Sequence, residues 1–163
     1  MRTTLALAVL GAMLAAPVSA AAAGMDAMQY YVGTWSCVGG NVGSPANKAT
    51  ATYTLNTGIL RAWIVVAPQG KMTTPYAISN SLIYDAKNSR YVQTGIDSGA
   101  GWGVSFAAPF TGNTEQWTDH ATNDGKLGHG TAMRVDKNTF TYTGYPTLTA
   151  TKPVFKVTCT RSS

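Results

Sequence analysis

Residues 49–66 read ATATYTLNTGILRAWIVV, and this stretch decides the fold. In 49–55, alanine, tyrosine and leucine take every second position and threonines take the positions between, which is the alternation of a strand with one buried face. Asn56-Thr57-Gly58 follows as a turn in which glycine can adopt a positive φ. The stretch therefore predicts a β-hairpin whose second strand runs from Ile59 to Val66.

The same alternation continues on both sides of this hairpin, with turn residues such as Asn123-Asp124-Gly125 between the segments. Further strands are predicted over 34–38, 76–84, 90–97, 102–107, 114–121, 129–135, 139–145 and 152–160. An antiparallel meander of about ten strands leaves no exposed edge when it closes on itself. The predicted fold class is therefore all-β: a single antiparallel up-and-down β-barrel of about ten strands.

A short helix is predicted just before the first strand. Asp26 is of the residue type that caps helix N-termini, and 27–29 would form the helix leading into Tyr30 and Tyr31. This position suits a plug beneath one end of the barrel.

The chain begins with the features of a cleavable export signal. A basic start at Arg2 precedes an apolar run over 5–18 and then small residues, so cleavage is expected after Ala20 or Ala23. The run is shorter than the roughly 20 apolar residues that span a bilayer. We expect residues 1–23 to be a signal peptide and residues 24–163 to be a barrel domain in the periplasm or secreted, without membrane insertion.

The charge of the chain is sparse and basic. Of 12 Lys and Arg residues, removal of Arg2 leaves 11 against 7 acidic residues. These basic residues are scattered, with no run and no basic helix, so no nucleic-acid partner is predicted. Only a weak preference for anionic partners follows from the net charge, and the sequence does not indicate the oligomeric state.

The two cysteines, Cys37 and Cys159, predict a disulfide in an exported chain. Cys37 shares a strand face with Trp35, and Cys159 shares one with Val157, so both thiols would point inward and join the first strand to the last. Free thiols are the alternative, although no neighbouring group suggests activation. The chain has two histidines, and a Cys/His metal cluster lacks its usual spacing, so no metal site is predicted.

Gly33-Thr34-Trp35 in the first strand and Arg161 at the end of the last resemble the calycin superfamily, which includes lipocalins and fatty-acid-binding proteins. The resemblance implies that Trp35 packs across the closed end of the barrel beneath Arg161, a structural role for both residues. The segments 81–85, 90–92 and 96–99 resemble the bacterial calycin-like family of unknown function numbered 1579.

Two other barrel families share parts of this pattern. Nitrobindin-type barrels carry haem on a histidine near the end of the chain, but the last strand here, 153–159, contains no histidine. Avidin-type barrels also begin with Gly-Thr-Trp and resemble residues 89–95 and 101–104, but their closing segment differs and their strand count is lower. No cofactor is therefore predicted.

Glu115, Trp117 and Asp119 share one face of a predicted strand. If that face points inward, the two carboxylates flank the indole in the cavity and could act in acid–base chemistry. A solvated outer face with an exposed tryptophan is the favoured interpretation, because the outer faces of barrels are normally polar. His120 and His129 are predicted at the surface or rim. Asp119 cannot orient His120, because adjacent residues of a strand point to opposite faces.

A ten-strand barrel is wider than the eight-strand barrel that side chains alone can fill, so a cavity is expected. Arg61 or Arg134 could supply a polar group, although the parity of Arg134 with Asp136 predicts that it faces outward. The predicted ligand-binding residues are Trp63, Tyr84, Tyr91, Trp102 and Trp117.

The function predicted from these features is the binding of a small apolar or amphipathic molecule without transforming it. One alternative is a barrel enzyme of the isomerase or cyclase type that uses Glu115 or Asp119. The other is a solidly filled structural or protein-binding domain.

Overall fold

The computed structural model describes residues 24–70 and 72–162. The predicted signal peptide, residues 1–23, lies outside the described residues. A 3₁₀ helix, Asp26–Tyr31, is followed by ten strands. The strands are β1 Gly33–Asn41, β2 Asn47–Asn56, β3 Ile59–Val66, β4 Tyr76–Asp85, β5 Arg90–Asp97, β6 Trp102–Ala107, β7 Thr114–Thr122, β8 His129–Asp136, β9 Thr139–Tyr145 and β10 Phe155–Arg161.

Each strand pairs antiparallel with the next in sequence, and β1 pairs with β10, so the sheet closes into a barrel. The predicted ten-strand up-and-down barrel is confirmed. β3, β5, β6 and β9 begin and end at the predicted residues. β10 begins later than predicted, at Phe155, because Pro153 has no backbone N–H to donate to the ladder.

One end of the barrel is closed by the 3₁₀ helix and by aromatic side chains. Trp35 is fully buried, its Nε1 donates to the carbonyl oxygen of Tyr31 at 2.7 Å, and its ring contacts the ring of Phe140. The guanidinium of Arg161 lies 4.2 Å from the centre of the Trp35 ring and donates to the carbonyl oxygens of Tyr30 and Val32. This is the packing that the sequence resemblance implied.

The helix lies at the predicted place, but Asp26 does not cap it. The N-cap position is Met25, which has an αR backbone and makes no side-chain hydrogen bond to the helix. Burial of Met25, Met28 and Tyr31 against the barrel therefore holds the helix in place, without a cap.

The disulfide between Cys37 and Cys159 is present as predicted. The two residues are direct partners in the register of β1 and β10, so the bridge closes the seam between the first and last strands. Within 24–70 and 72–162, no helix is long and apolar enough to cross a membrane.

Candidate functional site

A cavity of about 360 Å³ lies inside the barrel above the closed end. Met28 and Tyr31 lie at its floor, and Asn47, Val66 and Ile78 line it near the open end. Most of its wall is apolar, and its polar side chains include those of Asn80, Gln93, Ser105 and Glu115. The alternative of a solidly filled barrel predicted no cavity, and this expectation is wrong.

Glu115 is buried at the closed end of the cavity, with 2% of its surface exposed. Trp117 Nε1 donates to Glu115 Oε2 at 3.0 Å, while Glu115 Oε1 has no hydrogen-bond partner among the described residues. The favoured prediction of a solvated outer face for this strand is therefore wrong. β7 buries Glu115 and Trp117 and exposes the residues between and after them, such as Gln116 and Thr118.

Burial raises the pKa of Glu115 from its ordinary value of 4.5 to about 7. Desolvation of the charged form is the main cause, and it outweighs the hydrogen bond from Trp117 and the attraction of the Arg134 guanidinium, both of which lower the pKa. Across the described residues, no lysine or arginine nitrogen lies within 4.0 Å of the Glu115 carboxylate. Near neutral pH this group therefore exchanges between its charged and neutral forms without a direct ion-pair partner.

Arg134 points into the closed end, so the prediction that it faces outward is wrong. Its guanidinium lies 3.6 Å from the centre of the Phe110 ring and 4.7 Å from that of Tyr30, and it donates to the carbonyl oxygen of Ala27. The inward residue before it, Ala132, is small, while Met133 is exposed on the outer face. Arg134 thus lies behind the cavity floor and does not line the cavity.

Tyr31 adds a third polar group at the floor. Its Oη is buried and lacks a hydrogen-bond partner among residues 24–70 and 72–162, as does Arg134 Nε. Burial raises the pKa of Tyr31 and the nearby Glu115 carboxylate raises it further, whereas the charge and the polar contact of Arg134 lower it without cancelling the rise. Tyr31 therefore stays protonated, with its hydroxyl close to both Glu115 and Arg134 at the floor of the cavity.

Asp119 also faces inward but is fully engaged in holding the wall together. Its Oδ1 accepts a hydrogen bond from Ser105 Oγ at 2.8 Å, and its Oδ2 accepts one from the Gly128 N–H at 3.0 Å. These bonds tie β7 to β6 and to the loop before β8. Asp119 is therefore a structural residue, which weakens its candidacy as a catalytic base.

Of the five predicted ligand-binding residues, Trp117 lines the cavity. Tyr84 and Tyr91 face inward at the closed end, where their rings lie 5.3 Å apart and Tyr91 Oη donates to the carbonyl oxygen of Gly24 at 2.9 Å. They fill the space beneath the cavity and do not form its wall.

Trp63 and Trp102 are the two predicted binding residues that the structure places on the outside of the barrel. Their side chains are on the outer face and are 54% and 48% exposed. Trp63 shares the outer face of β3 with the exposed Arg61, whereas Trp102 alternates with Gly103, which faces inward. Trp102 does line a second space, at the mouth of the barrel.

This mouth space, of about 310 Å³, adjoins the main cavity at the open end. It shares Ile78, Asn80, Gln93 and Ser105 with the main cavity, and Asp97 and Asp124 lie at its edge. The Asp97 carboxylate accepts hydrogen bonds from the backbone N–H groups of Gly99 and Gly101, which orders the β5–β6 loop. Three polar residues of this region were not predicted from the sequence: Asn80, Gln93 and Asp97. Asn80 lies on the same strand face as the buried Leu82, and Gln93 and Asp97 lie on the same face as the buried Tyr91, so the alternation could have identified them.

The histidines lie away from this site. His120 is exposed on the outer face, with its ring centre 4.6 Å from that of Phe106. His129 is half-buried and stacks on Tyr145 near the open end. Over the described part of the chain, no group of three or more His, Cys, Asp or Glu residues could hold a metal ion.

Comparison with known proteins finds no family model that matches the chain. No curated protein matches it in sequence. Among solved structures it is similar to a redesigned β-barrel, at 12% sequence identity and a TM-score of 0.45, over 83% of this chain and 94% of that one.

Proposed function

We propose that this protein is an exported barrel that binds one small apolar or amphipathic molecule in its cavity without transforming it. The observation that carries the proposal is the cavity of about 360 Å³, whose mostly apolar wall ends in the polar pair Glu115 and Trp117. Apolar walls with a few placed polar groups are the usual composition of small-molecule sites. The apolar wall would hold the body of the ligand, and the polar floor would orient it.

The cavity sets the size of this ligand. A water molecule takes up about 30 Å³ of the liquid, so a space of this volume holds roughly a dozen non-hydrogen atoms. A molecule with one ring and a short chain fits this limit, whereas a long-chain fatty acid exceeds it unless it extends through the mouth.

The engagement of Asp119 supports binding over catalysis. Acid–base chemistry commonly uses two groups whose environments separate their pKa values. Here both oxygens of Asp119 accept hydrogen bonds from the barrel wall, which leaves Glu115 with the one unpaired carboxylate oxygen that lines the cavity in the described structure. A binding role needs only Glu115 as an orienting group.

A barrel enzyme is the second candidate function. Glu115 and Trp117 face the cavity, as this alternative required, and a pKa of about 7 would suit Glu115 as a general base. Conversion of the bound molecule, followed by mass spectrometry of the released compound over time, would favour this candidate.

We also propose a relationship to the calycin barrels. It is supported by Gly33-Thr34-Trp35 and by the stacking of Arg161 on Trp35 at the closed end. In the same proposal the export signal is residues 1–23, and N-terminal sequencing of the protein purified from its host would find a start after Ala20 or Ala23.

Native mass spectrometry of the mature protein, purified gently from its host, tests the binding. We expect a small molecule at one per chain in the wild type. Ala51→Phe places a ring in the cavity and should abolish this adduct, because Ala51 is 1% exposed and lines the wall. Thr50→Phe is the matched control, since Thr50 is exposed on the outer face of the same strand. An adduct of equal occupancy in both variants would place the ligand elsewhere and contradict the proposal.

A further inference from the structure

The charged residues that line the cavity and its mouth are of one sign. Three charged residues line the cavity and its mouth in the described structure, and all three are acidic: Asp97, Glu115 and Asp124. No lysine or arginine of 24–70 and 72–162 lines either space. The chain as a whole nevertheless carries a formal net charge of +5. Lys126 Nζ lies 3.2 Å from the Asp124 carboxylate and offsets its charge. Among the described residues, Asp97 and Glu115 are therefore the acidic groups of these two spaces that have no ion-pair partner, and their charge is opposite in sign to the net charge of the protein.

Glu115 is the acidic residue at the closed end of the cavity. Its side chain is 98% buried, since 2% of its surface is exposed, and Oε1 lacks a partner within the described residues. An ionised carboxylate buried without a counter-charge is costly, and a cation brought by a ligand offsets that cost. Trp117, whose indole lies beside the carboxylate, adds a ring that can also attract a cation.

The other groups around Glu115 leave this position open to a cation. Arg134 is the nearest arginine, but it lies behind the floor between the rings of Phe110 and Tyr30, beyond salt-bridge distance. Tyr31 from the 3₁₀ helix and Tyr91 from β5 are neutral hydroxyl groups near the carboxylate. Within the described structure, Glu115 is thus the single charged group that faces the floor of the cavity.

We infer that the ligand is a cationic amphiphile: an apolar body of about ten carbon atoms that ends in an amine, with its ammonium group paired to Glu115 Oε1. This identity rests on the proposed function of ligand binding. A carboxylate ligand of the same shape would meet a like charge from Glu115 at the floor and a further like charge from Asp97 at the mouth. The barrel therefore selects amines and neutral alcohols over acids, against the preference that its net charge suggests.

Three ligands that differ in one terminal group test this selectivity: 4-phenylbutylamine, 4-phenylbutanol and 4-phenylbutanoate. Their affinities for the mature protein are measured by isothermal titration calorimetry at about pH 8. We expect the amine to bind at least about tenfold more tightly than the alcohol, which corresponds to about 1.4 kcal/mol, and the acid to bind most weakly. Affinity for the amine should rise from about pH 5.5 to pH 8, as Glu115 ionises, and affinity for the alcohol should not.

Glu115→Gln should remove the preference for the amine and its pH dependence while keeping affinity for the alcohol within a few-fold. Asp26→Asn is the matched control, because it removes the same charge from an exposed residue outside the barrel and should leave all three affinities unchanged. Circular dichroism and thermal unfolding of each variant verify that it is folded.

The outcomes separate the two proposals. Absence of binding by all three ligands to folded protein would contradict the proposed function itself. Binding in which the alcohol or the acid equals or exceeds the amine would leave ligand binding intact and overturn the cationic identity. An amine preference that survives in folded Glu115→Gln would also overturn it, because the ammonium group would then pair elsewhere.

Discussion

Replacing Glu115 with glutamine should change how the stability of the protein depends on pH. The pKa of Glu115 is about 7 in the folded protein and about 4.5 without burial. Between these pH values the unfolded chain releases the proton and the folded chain keeps it, so the free energy of unfolding falls as pH rises. The stabilising contribution of the neutral carboxyl is fully present below about pH 4.5 and is lost as pH rises to 7. At 1.36 kcal/mol per pKa unit, the loss amounts to roughly 3 kcal/mol.

Guanidinium unfolding of the wild type and Glu115→Gln at about pH 4.5, 6 and 8 measures this loss. Other groups titrate equally in both proteins, so the difference in unfolding free energy between them isolates Glu115. We expect that difference to shift against the wild type by roughly 3 kcal/mol from the lowest pH to the highest. The exposed-site variant Asp26→Asn should show a shift below about 0.5 kcal/mol. Parallel pH profiles for wild type and Glu115→Gln would refute the burial argument, and a shift of opposite sign would indicate a paired carboxylate.

Three further predictions concern the frame of the barrel. The double variant Cys37→Ala/Cys159→Ala opens a loop of 122 residues and should lose about 4 to 5 kcal/mol in chemical unfolding; a loss below about 1 kcal/mol would contradict the chain-entropy estimate. Arg161→Met should lower the unfolding free energy by about 2 to 3 kcal/mol, because two carbonyl oxygens of the helix region lose their donor. Trp63→Ser should change stability by less than about 1 kcal/mol and leave ligand affinity unchanged, whereas a large loss would show that this exposed ring is packed.

The strands were predictable because their signal is local. In β2 the alternation of threonine with apolar residues and the turn at 56–58 identify both strands of the hairpin without any knowledge of the rest of the chain. The disulfide was predictable for a related reason. The parity of Cys37 with Trp35 and of Cys159 with Val157 places both sulfurs inside, and closure then makes their strands neighbours.

The position of the charged residues was not predictable in the same way. Alternation along a strand shows which residues point inward only when the inward residues are more apolar than the outward ones. In β8 the outward residues are the more apolar ones. Its inner positions include Gly130 and Ala132, whereas Met133 and Val135 are exposed. A Cβ on Gly130 would collide with the side chain of Tyr142 on the neighbouring strand β9, so the packing of Tyr142 requires the small residue. The small inward residues of β8 are thus explained by Tyr142 on β9, which the sequence of β8 alone does not reveal. For this reason the sequence prediction placed Arg134 on the outer face.

Glu115 shows why such a misassigned residue is also the most informative one. The buried carboxyl costs the folded protein roughly 3 kcal/mol at about pH 8, a large fraction of the 5 to 15 kcal/mol by which domains are normally stable. Methionine or leucine at this position would avoid that cost and fill part of the same space. A destabilising ionisable group that lines a cavity is a functional-site candidate on physical grounds, because binding can relieve the cost that folding imposes. The stability that a bound amine restores to the wild type at pH 8, and fails to restore to Glu115→Gln, would measure that relief directly.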